Sequence, residues 1–108
     1  MASSVIRVPG MFRMSPLAAI RRRIDRLDDA LLRCINQRAS LALQIGRIKK
    51  RRMWPVFDAS RETFVLARVA RANRGPLSVR AVRHIFQAIL CECRRRERAR
   101  KSSIVHSR

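Results

Sequence analysis

The stretch that decides the fold is residues 17–48, LAAIRRRIDRLDDALLRCINQRASLALQIGRI. Leu17, Ile20, Ile24, Leu27, Leu31, Cys34, Arg38, Leu41, Ile45 and Ile48 recur at alternating spacings of three and four. That is a heptad seam on one long helix. A helix of about 35 residues spans about 52 Å at 1.5 Å per residue, more than a domain of this size is wide. Two shorter helices cannot cover such a stripe, so a second copy related by two-fold symmetry is the simplest cover.

Outward from this stretch, the breakers are few. Ser15-Pro16 reads as an N-cap followed by proline at the first helical position. Pro55 and Gly75-Pro76 then interrupt the chain. The spacing predicts helices over 16–52, 59–73 and 78–100, with no alternating strand pattern, so the fold class is all-α. Asp58 is the expected cap of the second helix, with Glu62 in its first turn and Val65, Leu66 and Val69 on its apolar face. Ser78 caps the third, whose stripe is Val79, Val82, Phe86, Ile89, Cys93 and Glu97. The division is a flexible extension over 1–15, a helical domain over 16–100 and a basic polar tail over 101–108.

At 108 residues the chain is one domain, and a 47% hydrophobic content is too high for disorder. It holds no apolar run of about 18 residues and no continuous apolar block near its start, so neither a membrane span nor a secretory signal is expected. The net charge of +19 calls for an anionic partner. Cys34, Cys91 and Cys93, with only His84 and His106, offer no metal-ligand spacing. Reduced thiols in a cytoplasm are the plain reading, and Cys34 and Cys91 read as packing residues.

Most basic residues, among them Arg22, Arg23, Arg26, Arg47, Arg94, Arg95 and Arg98, read as solvated-face residues. Arg38 does not, because it occupies a seam position, where an unpaired cation costs several kcal/mol. Lys49 lies beside the same seam, about 16 Å further along the axis. Arg21 is about 42 Å from Lys49 on a straight helix, so both reach one small ligand only if two long helices pair antiparallel. Pairing of these cations with Asp25, Asp28 or Asp29 is the alternative. Glu97 is the second anomaly, an acid on an apolar stripe that could also snorkel to water.

Several pieces now fall into a known order. They are Ile20 to Asp28 (IRRRIDRLD), Leu31-Leu32, Asn36-Gln37-Arg38, Ala42 to Lys49 (ALQIGRIK), Pro55 to Asp58 with Arg61-Glu62, and Gly75 to Ser78 leading to Ile85-Phe86. From Leu17 to Glu97, about 81 of the 108 residues, the chain resembles the AroQ-class, all-α chorismate mutases. The resemblance implies a three-helix protomer in an intertwined antiparallel homodimer that binds chorismate, a small dicarboxylate, without metal or cofactor. It places Arg38, Lys49, Arg61 and Glu62 at ligand-binding positions of one protomer and Asp58 at a loop position that meets the ligand through its backbone. Arg21 matches an arginine given by the partner protomer. Cys93 and Glu97 fall where members often carry serine or cysteine, and glutamine or glutamate.

The implied reaction is a [3,3] rearrangement within one molecule, chorismate to prephenate. Arg21 of the partner and Arg38 would clamp the carboxylates in two-pronged hydrogen bonds. Glu62 would accept from the ring hydroxyl. Lys49 and Glu97 would stabilise charge growing on the ether oxygen, Lys49 as cation and Glu97 as a protonated donor. Lys49, Glu97 and Arg38 are thus the expected catalytic residues. Three alternatives stand beside this. Isochorismate-pyruvate lyases resemble the same domain. A basic helical nucleic-acid-binding protein would suit Arg21–Arg23, Lys49–Arg52 and the Arg94–Lys101 cluster, against only five aromatics and no recognised motif. A docking role toward a shikimate-pathway partner enzyme has no surface in the sequence to support it.

Overall fold

The computed structural model describes residues 15–106, with side chains through Arg98. The expectation for the amino-terminal extension falls outside the described residues, apart from Ser15. Three helices follow in order: α1 (Pro16–Arg51), α2 (Ala59–Ala72) and α3 (Val79–His106), with no strand among the described residues. The all-α expectation holds. No described helix is long and apolar enough to cross a membrane.

Each start is set by a short polar side chain that satisfies an otherwise orphan amide. Ser15 Oγ accepts from the Ala18 amide at 3.0 Å, Asp58 Oδ1 from Arg61 at 2.9 Å and Ser78 Oγ from Ala81 at 3.0 Å. The end of α1 has a different device. Trp54 donates its amide to Lys49 O at 2.7 Å and Met53 to Lys50 O at 3.1 Å, with Met53 at φ 58°. That is the left-handed closure of a Schellman motif, occupied by methionine where glycine is usual. It turns the chain back at once, so residues 54–58 return past the last turn of α1. At the other connection Asn73 staples the turn, its Nδ2 donating to Leu77 O at 2.8 Å and its Oδ1 accepting from Gly75 N at 3.1 Å. Gly75 has φ 77°, where a side chain would be strained.

Helix α3 passes the end expected near residue 100 and continues to His106. Nothing after Pro76 is a glycine or proline, so the backbone meets no breaker there.

The chain divides into two units, the first ending at Cys34 and the second beginning at Ile35. In the first, none of the described residues is buried. Ile20, Ile24, Leu27 and Leu31 of the seam are all exposed, Leu27 by 68%, and Cys34 is exposed rather than packed. In the second, α2 packs along α3. Among its described residues the buried ones are Ala42, Val65, Leu90 and Cys93, a small core.

Removing one cap tests this account of the boundaries. Ser78→Ala leaves the Ala81 amide without its acceptor and should cost about 1 kcal/mol. A thermal melt should fall by several degrees, and an unchanged midpoint would show that the cap contributes nothing.

Candidate active site

The second unit holds a cavity of about 490 Å³ lined from three helices and the loop between the first two. Helix α1 brings Arg38, Leu41, Ile45, Ile48 and Lys49, and the following loop brings Trp54, Val56 and Asp58. Helix α2 brings Arg61 and Glu62, and α3 brings Leu90, Cys93, Arg94 and Glu97. Arg38, Lys49, Asp58, Arg61, Glu62, Cys93 and Glu97 were singled out in the sequence, and the fold brings them to one place. Arg21 belongs to the first unit.

Helical spacing explains the α1 and α3 contributions. Arg38, Leu41, Ile45, Ile48 and Lys49 share a face, as do Leu90, Cys93, Arg94 and Glu97. The returning loop supplies the wall between them. Lys49 Nζ donates to Val56 O at 2.6 Å, which ties the end of α1 to the loop the Schellman motif created.

Glu97 is the most constrained group. Lys49 Nζ stands 3.6 Å from its Oε1, close enough for an ion pair but too long for a good hydrogen bond. The two side chains are 15% and 10% exposed. Oε1 is buried without a hydrogen-bond partner. Glu97 lies against Gly46 of α1, where a Cβ would stand in ordinary contact with Glu97 Cγ at 3.4 Å. Burial pushes the Glu97 carboxyl above the ordinary glutamate range, and Lys49 offsets only part of that rise. A protonated carboxyl at this place can donate.

Arg38 is not bare either. Its Nη1 donates to the buried Cys93 Sγ at 3.3 Å, so the seam cation meets a thiol rather than Asp25, Asp28 or Asp29. The Arg61 guanidinium lies over the Phe64 ring at 5.3 Å. Trp54, half exposed, is covered by Arg52 at 5.1 Å.

Arg94 corrects the sequence reading. Expected on the solvated face, it is only 22% exposed, and its Nη1 donates to Glu62 Oε2. Its guanidinium also stacks over Phe57 at 5.0 Å. The sequence carried one faint signal, that Arg94 adjoins Cys93 of the inward stripe, and it did not name Glu62 as the partner.

A model of the family described as chorismate mutase type II matches residues 20–98. The bifunctional chorismate mutase/prephenate dehydratase of Aquifex aeolicus is 34% identical over 84 residues, covering 74% of this chain and 23% of its own length. That of Pseudomonas aeruginosa is 38% identical over 82 residues, covering 71% of this chain and 22% of its own. This chain thus spans under a quarter of these relatives' length. A solved chorismate mutase (Form II) from Thermus thermophilus superposes with a TM-score of 0.77 at 28% identity, over 78% of this chain and 96% of that one.

The raised Glu97 carboxyl has a consequence for stability. The folded protein holds its proton to higher pH than the unfolded chain, so the stabilisation is full at acid pH and is lost as pH rises through the folded value. Glu97→Gln removes this slope. The variant's melting midpoint should gain on the parent's as pH climbs from the ordinary glutamate range toward neutrality, and parallel curves would sink the assignment.

Proposed function

The chain belongs to the chorismate mutase type II family, and from that premise we propose that it converts chorismate to prephenate in the cavity of the second unit. The observation that carries the reading is the Lys49–Glu97 pair: a cation and a buried, unbonded carboxyl oxygen at one wall of a cavity that also holds Arg38, Arg61 and Arg94 among apolar side chains.

The substrate is a flexible dicarboxylate. Arg38, with Arg21 of a second copy, clamps its carboxylates and holds the side chain over the ring, which removes much of the entropic barrier. Arg61 supports the same anionic end, and Asp58 contributes through its backbone. Glu62 accepts from the ring hydroxyl through the oxygen that Arg94 leaves open. As the ether bond stretches, negative charge grows on its oxygen. Lys49 meets that charge, and protonated Glu97 beside it donates to the same oxygen. Cys93 spaces Arg38 from α3 and touches the ligand there. The reaction breaks one carbon–oxygen bond and forms one carbon–carbon bond within a single molecule, so these side chains suffice.

The exposed stripe of the first unit supports the dimer. Each fully buried leucine or isoleucine is worth about 1.5–3 kcal/mol, and a lone helix with its apolar face in water is marginal. A second copy running antiparallel covers Ile20, Ile24, Leu27 and Leu31 and brings its Arg21 to the cavity. The free thiols suit the reducing cytoplasm, where we place the enzyme.

Purified protein should deplete chorismate and release prephenate, while salicylate from isochorismate would favour the lyase reading instead. Lys49→Ala should lower kcat by about 100-fold or more. Activity should fall as pH rises through the Glu97 titration, and Glu97→Gln should flatten that profile. A flat profile in the parent would remove Glu97 from the mechanism. For the dimer, Leu27→Glu should yield a monomer by light scattering with little turnover. Mixing inactive Arg21→Ala and Arg38→Ala chains should restore about a quarter of parental activity, because half the dimers then carry one intact site. No restoration would mean that each protomer works alone.

A further inference from the structure

Arg94 has no part in the mechanism drawn from the resemblance, yet it is placed inside the cavity. It reaches from α3 to Glu62 on α2 and covers Phe57 in the intervening loop. One side chain therefore ties together the three segments that form this wall. Arg94 and Glu62 are comparably shielded, at 22% and 23% exposure. The Glu62 carboxylate has two oxygens: Oε2 is taken by the guanidinium, and Oε1 lies outside that bond with its capacity to accept intact.

We propose that Arg94 is a positioning and specificity residue, which aims Glu62 at the substrate's ring hydroxyl and bars substrates carrying an amine in that place. The inference rests on the reading of this cavity as the chorismate site. The physical grounds are two. The guanidinium, itself placed over Phe57, holds one oxygen of the carboxylate, whereas a free glutamate in a cavity with Arg38, Lys49 and Arg61 would turn to whichever cation lay nearest. A carboxylate standing alone also attracts a ligand ammonium at least as strongly as a hydroxyl. With Arg94 fixed beside it, an ammonium meets a like charge, while a neutral hydroxyl is accepted unhindered.

The test uses the full chain with Arg94→Gln, Arg94→Lys, Glu62→Gln and the Arg94→Gln/Glu62→Gln double variant, with folding checked by circular dichroism. Arg94→Gln should lower kcat/KM for chorismate by about 10- to 100-fold. Arg94→Lys, a point charge without a planar group to lie over Phe57, should recover part of it. Because Arg94 acts through Glu62, adding Arg94→Gln to Glu62→Gln should cost little more. A chorismate analogue with an amine replacing the ring hydroxyl should inhibit Arg94→Gln about tenfold more tightly, relative to chorismate, than it inhibits the parent or Arg94→Lys. Equal losses from Arg94→Gln in both backgrounds would overturn the proposal by putting Arg94 directly on the substrate. Unchanged kcat/KM and unchanged discrimination would overturn it outright. A parent chain that does not turn over chorismate would fail the reading of the cavity itself, a result distinct from either.

Discussion

Four cationic side chains, Arg38, Lys49, Arg61 and Arg94, are held around one cavity with three acids, Asp58, Glu62 and Glu97. Like charges gathered around one cavity repel, so each is offset by a local partner or by a ligand. Arg94 has Glu62, Arg61 has a ring face, and Arg38 has the Cys93 thiol. With every acid ionised, the lining carries a surplus of one positive charge, and a proton on Glu97 makes it two. A doubly negative guest is what such a lining can neutralise. The same crowding accounts for Glu97: burial favours its neutral form more than Lys49 disfavours it.

The positions of these groups follow from how helix ends are closed. The Schellman turn at Met53 sends the loop back along α1, so that Val56 O can take the Lys49 ammonium. The Asp58 cap then starts α2 with Arg61 and Glu62 in its first turn, facing the cavity. Backbone amides and carbonyls that had to be satisfied somewhere thus fix where the charged side chains stand.

The exposed seam of the first unit and the cationic cavity of the second are two forms of incompleteness. The first lacks apolar cover, and the second lacks negative charge. One partner chain and one small dianion would relieve both. The large excess of basic charge elsewhere on the chain is not absorbed by either.

The sequence by itself determined three helices and their starting caps, because periodicity and capping act over neighbouring residues. It also marked Arg38 and Glu97, because a charge on an apolar stripe is anomalous whatever the fold. The seven cavity positions within one protomer were legible too, through the order of short motifs rather than through any one of them. Helix α3 running to His106 was not legible, since a polar tail can coil or remain helical with nearly the same local preference. Nor was Arg94, whose place depends on where α2 and the loop lie against α3. Only the tertiary structure decided that a residue beside the inward stripe would meet Glu62 and Phe57 instead of water. The reason is that a side chain's partners across 32 residues of chain are set by packing, which local sequence does not encode.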